Sequence, residues 1–183
     1  EVHQQKNIIE TLINNLQINE NIMISSKAKI GKNVDIHPLA YIEEDAEIGD
    51  NTQIGPFCIV RKNAKIGKNC KFTAYCEIRD NVKVGDNTTM GSRCTISANA
   101  IIGSNVTVKY SFVLTDTPDL TKGDEKIVGR IGDGTLIGAN VCLMPGFSIG
   151  EDCIIGACSQ VRSHVNDNEI WYGNPAKLFK KNS

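Results

Sequence analysis

Every sixth residue from Ile24 onward is apolar: Ile24, Ile30, Ile36, Ile42, Ile48, Ile54, Val60, Ile66, Phe72, Ile78, Val84, Met90, Ile96, Ile102, Val108 and Leu114. The phase then slips once and resumes at Ile131, Ile137, Leu143, Ile149, Ile155 and Val161. Ile18, with Ile22 four positions on, reads as one further unit upstream. The fourth residue after each anchor is small or modest in size, as at Ala40, Ala46, Cys58, Ala64, Cys70, Cys76 and Cys94, until Phe112. The residue after the anchor is often Gly, and the third after it is often Asn. Neither a helical period of 3.6 nor simple alternation gives this pattern. Short strands separated by sharp corners do, with one large and one small side chain turned inward per six residues. The corners need residues that tolerate positive φ, which Gly does freely and Asn better than most. Three such sides close a triangular coil of 18 residues, and successive coils stack as parallel strands ~4.8 Å apart.

Two segments depart from the period. Val2–Leu16 places Ile8, Ile9, Leu12, Ile13 and Leu16 on one side of an amphipathic helix. A solenoid exposes an apolar cross-section at each end, so this helix is expected to cover the first coil or to pack on a neighbouring subunit, with a partner-binding helix as the alternative. Between Leu114 and Ile131 about eleven residues are inserted, carrying charge, Pro and Gly. They read as an excursion from the prism, and inserted loops on rigid scaffolds tend to carry function. The tail Ile170–Lys181 has turn residues at Gly173 and Pro175, with Leu178 and Phe179 expected to cap the last coil. The expected organisation is a helical cap over 1–17, a solenoid over 18–166 with a loop at 115–130, and a C-terminal cap over 167–183.

Composition narrows the function. Lys+Arg is 20 and Asp+Glu is 21, a net charge of −1 that argues against nucleic acid as a partner. Charged residues at 22% and hydrophobic ones at 40% exclude a disordered chain, and no apolar run approaches the ~18 residues of a membrane span. No leader pattern is visible, and the location expected is cytoplasmic. Seven cysteines include no C-x-x-C pair of the kind a zinc site uses. Cys58, Cys70, Cys76, Cys94 and Cys153 fall at the small interior position, where a thiol acts as a small hydrophobe. Cys142 and Cys158 do not. Among the histidines, His37 reads as structural and His164 is a remote candidate for a base.

The repeat of an aliphatic residue, Gly, two variable residues and a small residue resembles the hexapeptide-repeat acyltransferases over about residues 24–178. The resemblance implies a left-handed parallel β-helix, an all-β solenoid, assembled as a homotrimer. It also implies acetyl-CoA as co-substrate, with no metal, lying in a groove between two prisms. The segments I-G-A-N and I-G-A-C match the family's Gly-Ala corners, which nominates Gly138, Ala139, Gly156 and Ala157 for the cofactor, with Ala139 and Ala157 stacked on one edge. Arg162, and Lys177 within P-A-K, are nominated for its phosphates.

For the acceptor, sugar and antibiotic O-acetyltransferases carry a loop His where this chain has Thr117. The N-acetyltransferases of nucleotide-linked amino sugars are the closer resemblance, through V-L-T-D at Val113–Asp116 and I-G-D-G-T-L-I-G-A-N at Ile131–Asn140. By that resemblance Asp116 contacts the sugar amine, with Thr115 and Thr117 beside it, and the products enter surface polysaccharides. Asp119 and Asp124 are weaker loop candidates. The alternatives are a sugar O-acetyltransferase and a non-catalytic β-helix scaffold.

Overall fold

A computed structural model describes residues 23–122 and 125–182. The expected N-terminal helix, the unit at Ile18 and the candidate Asp124 lie outside the described residues. The rest is an all-β parallel solenoid of about eight turns. From Lys29 to Leu143 each coil has three two-residue strands, and each strand ends on an anchor. The first face runs from Ile42 through Leu114 to Val161. The second runs from Ile30 through Ile102 to Ile131 and continues as bridges at Ile149 and Val165. The third runs from Ile36 through Val108 to Ile155 and ends on a hairpin.

The stacking interval is read directly from the register. Ile30 lies against Ile48, 18 residues on, while Ile102 lies against Ile131, 29 on. Eleven extra residues therefore leave the prism between the first and second faces. The final coil is two residues shorter, with Ile149 against Val165 and Ile155 against Trp171.

The interior is a column of anchors and small residues. Phe72, Ile78, Ile96, Phe112, Leu114 and Leu143 are buried, as are the five cysteines assigned to the small position. Burial of an anchor contributes about 1.5–3 kcal/mol, offset by chain entropy of similar size. Buried polar groups are paired: Thr52 Oγ1 donates to Gly67 O at 2.9 Å and accepts from Cys70 N at 3.0 Å. Thr88 and Thr135 repeat the device. Burial pushes the thiols of Cys70 and Cys153 up, away from the reactive thiolate. Cys142 is half-buried and Cys158 exposed.

The corners divide the labour differently from the expectation. The residue with positive φ is the third after the anchor, from Asn33 at 54° to Asn168 at 58°. Gly at the first position serves close approach instead. A Cβ on Gly55 would stand 1.3 Å from Thr73 O in the next coil, and one on Gly138 would stand 2.5 Å from Ala157 N. Asn is favoured because it tolerates the left-handed region and its amide reaches the next coil. Asn51 Nδ2 donates to Asn69 Oδ1 at 3.3 Å and Asn69 Nδ2 to Asn87 Oδ1 at 3.2 Å. The edge after the third face begins without such a ladder. Phe57 and Tyr75 hold positive φ there, with rings stacked at 4.9 Å.

The C-terminal end is an antiparallel hairpin, Glu169–Gly173 with Ala176–Lys181, that extends the third face. Gly173 has φ 105° and the Asn174–Pro175 bond is cis, as suits the turn. Leu178 and Phe179 are exposed, not inserted. Trp171 and Ala176 cover the last coil because the shortened coil brings Trp171 into register with Ile155. Buried Glu169 accepts from Trp171 Nε1 at 2.9 Å, Lys181 Nζ at 3.1 Å and Asn166 N at 3.1 Å.

Candidate active site

The inserted loop is pinned at its neck. Ile127 N donates to Asp116 O at 2.8 Å, and Gly146 N donates to Ile127 O at 3.2 Å. Thr115 is spent on the same purpose, since both its N–H and its hydroxyl donate to Leu143 O. The closed neck places the Asp116 side chain, 14% exposed, on a cleft of about 490 Å³. Val113, Pro118, Leu120, Met144 and Pro145 give the cleft an apolar lining, and Thr95, Ser97, Thr115 and Thr117 add hydroxyls. Thr117 Oγ1 donates to Asp116 Oδ1 at 2.9 Å. Lys126 Nζ donates to Thr117 Oγ1 at 2.5 Å and stands 3.5 Å from Asp116 Oδ1. The result is a carboxylate at an apolar cleft, oriented by one hydroxyl and beside one ammonium. Such a group can hold a cation or accept a proton from a nucleophile.

A second feature lies on the third face and the edge that follows it. Gly138, Gly156 and Ala157 line a groove of about 400 Å³ with Leu136, Ile137, Ile154 and Lys109. Ala139 and Ala157 stack as expected, with Cys158 N donating to Ala139 O at 2.8 Å. Among the described residues, the amides of Ala139 and Ala157 have no backbone acceptor. An apolar floor, two small corners and unpaired amides suit an extended, amide-bearing thiol ester such as acetyl-CoA. Lys177 lies opposite Tyr172, whose Cβ is next to Gly156, but it is not among the residues that line this groove.

The nominated residues thus form two groups. Thr115, Asp116 and Thr117 follow the first face, and so does Arg162, one residue past Val161, with its Nε donating to Gln160 Oε1 at 2.5 Å. Gly138, Ala139, Gly156, Ala157 and Lys177 gather at the edge after the third face. Arg162 is therefore not placed with the other cofactor candidates. Asp119 is a turn residue, accepting from Thr121 N and Oγ1 at 2.9 and 2.7 Å, and these bonds hold its carboxyl low. His37 Nδ1 accepts from Leu39 N and His164 Nδ1 from Ser148 N. Both imidazoles support backbone, and neither lines the cleft. Sequence reasoning missed Lys126 and Lys109. Lys126 lies one residue before the neck that closes on Asp116, a contact the spacing of the sequence does not mark.

Comparison with known proteins fits this architecture. Residues 12–117, more than half of the chain, belong to the family described as the GMPPB C-terminal domain. Residues 129–163 match the bacterial transferase hexapeptide (six repeats). The chain belongs to the family of the GMPPB C-terminal domain, with a bacterial transferase hexapeptide stretch after the inserted loop. It is 47% identical over 51 residues to a probable macrolide acetyltransferase of Lysinibacillus sphaericus, a match covering 28% of each chain. The chain thus spans about a quarter of the length of that curated relative. The UDP-N-acetylglucosamine acyltransferase of Campylobacter jejuni shares the fold, with a TM-score of 0.66, 20% identity and coverage of 87% of this chain and 72% of that one. The acetyltransferase domain of PglB from Neisseria gonorrhoeae FA1090, solved with acetyl coenzyme A, gives a TM-score of 0.53, 18% identity and coverage of 80% and 57%. Among the described residues no helix is long and apolar enough to cross a membrane.

Proposed function

We propose that this hexapeptide-repeat protein is an acetyl-CoA-dependent N-acetyltransferase acting on a nucleotide-linked amino sugar destined for surface polysaccharide. The observation that carries the reading is Asp116, a largely buried carboxylate on the inserted loop, set at an apolar cleft where a sugar fits. A carboxylate suits an amine acceptor: it holds the ammonium, orients it and takes up the proton the nitrogen must lose. The nitrogen lone pair then attacks the thioester carbonyl. A C–N bond forms, the C–S bond breaks, and the CoA thiolate leaves and is protonated. The neighbours named above support the donor and the acceptor class: one was solved with acetyl coenzyme A, and another is named for a UDP-sugar.

The same reading takes the solenoid as left-handed, trimeric and cytoplasmic. Asp116 lies on the edge after the first face, and the Gly-Ala groove on the edge after the third. Acyl transfer needs donor and acceptor within about 3.5 Å. Two edges of one prism do not meet, whereas edges of neighbouring prisms in a closed ring do. A complete site then takes Asp116 from one protomer and Ala139 and Ala157 from the next, and Arg162 reaches the donor from across the interface.

The test is acetylation of a panel of UDP-, dTDP- and GDP-linked amino sugars, followed by thiol release and product mass. Asp116→Asn is expected to lower kcat/KM by about 10²–10⁴, the range for loss of a positioned acid–base group. A variant as active as the parent rules the assignment out.

A further inference from the structure

The carboxylate at the edge of the acceptor cleft already has an ammonium beside it. Lys126 Nζ stands 3.5 Å from Asp116 Oδ1 and donates at 2.5 Å to Thr117 Oγ1, which itself donates to Asp116. Asp116 is 14% exposed and Lys126 half-exposed, so the lysine covers the carboxylate from the solvent side. The seat that the N-acetyltransferase reading reserves for the acceptor's amine is thus contested by the chain's own amine. A neutral amino sugar arriving as its ammonium would either share one carboxylate between two cations or leave Lys126 unpaired, and both are unfavourable. An acceptor that carries an anion near its amine avoids this. Lys126 passes to the anion as the ammonium takes Asp116, and every charge keeps a partner.

We propose that Lys126 is the specificity-determining residue of the cleft, exchanging Asp116 for a phosphate of the acceptor, so that phosphate-bearing amino sugars are selected over their free counterparts. This rests on the N-acetyltransferase reading and adds to it a residue and a reason for the nucleotide. Lys126 is well placed for the exchange. It sits one residue before Ile127, whose N–H and C=O are fixed by Asp116 and Gly146, so its backbone stays put while its long side chain moves. Lysine offers phosphate a mobile point charge. Among the described residues no Lys or Arg lines the cleft itself, and Lys126 stands at its rim, against the lining residues Asp116 and Thr117.

The test compares one amino sugar in nucleoside-diphosphate-linked and free forms, with the parent, Lys126→Gln and Lys126→Arg. The parent should favour the linked form by tenfold or more in kcat/KM. Lys126→Gln should move the two acceptors in opposite directions, raising KM for the linked sugar about tenfold and lowering it for the free one. Lys126→Arg should restore most of the preference. An unchanged ratio in Lys126→Gln overturns the proposal. A second arm uses UDP as the probe in calorimetry and needs no turnover. Binding that weakens about tenfold in Lys126→Gln and recovers in Lys126→Arg supports the proposal even if no amine is acetylated, an outcome that would count against the N-acetyltransferase reading alone. UDP binding that is absent from the parent, or equal in the parent and Lys126→Gln, overturns it.

Discussion

A single corner residue in this protein answers two demands. It must accept the left-handed region, and it must satisfy a neighbour one coil away. Asn69 does both, at φ 54° and with amide bonds from Asn51 and to Asn87. Asn69→Ala keeps the backbone path but loses the ladder and adds left-handed strain. It should cost about 1–3 kcal/mol, read as a lower urea midpoint at unchanged slope. Gly55 shows the other kind of corner demand, since even a methyl there meets Thr73 O. The sequence displayed both residue types at fixed phase, but composition alone did not separate the residue that needs positive φ from the one that needs no side chain. That distinction depends on the coil above, which lies 18 residues away. Asp116 was legible through its neighbours Val113–Thr115. Lys126 was not, because a contact made across a loop neck leaves no periodic trace.

Among the elements, the strands were the most legible and the ends the least. Sixfold spacing marks each two-residue strand, and the eleven-residue insertion follows from arithmetic on the anchors. The hairpin at Glu169–Lys181 obeys no such period. The two-residue shortening of the coil before it moves Trp171, not Leu178 or Phe179, over the last coil. Glu169 fastens that hairpin. Burial works against its charge, but the bonds from Trp171, Lys181 and Asn166 outweigh it and hold the carboxyl below the ordinary value of 4.5. A depressed carboxylate stabilises fully above its unfolded pKa and loses that contribution as pH falls through the folded value. Glu169→Gln should therefore cost about 1–3 kcal/mol at neutral pH. It should also flatten the decline of Tm expected of the parent below pH 4.5. Equal acid profiles for parent and variant would show that the hairpin is held by packing alone.

For the whole molecule, the proposed site draws on two edges of the prism that do not meet within one chain. The shared-site account makes a prediction that a self-contained site does not. Asp116→Asn spoils one edge and Ala139→Trp the other, so each pure variant lacks every complete site. Co-expressed in equal amounts, random mixing in a cyclic trimer pairs an intact Asp116 with an intact Ala139 at about a quarter of the interfaces. About a quarter of the parent activity should return in the mixed preparation, measured per protomer after purification. Activity no higher than that of the separate variants would place both groups within one chain.

The most direct test of the central claim is the mass of the product formed when the parent protein meets acetyl-CoA and nucleotide-linked amino sugars. The account predicts one acceptor gaining a single acetyl group on nitrogen, with one thiol released per acetyl and the rate collapsing in Asp116→Asn. Acetyl found on a sugar hydroxyl, or acetyl-CoA left intact with every acceptor while calorimetry detects no CoA binding, would contradict it.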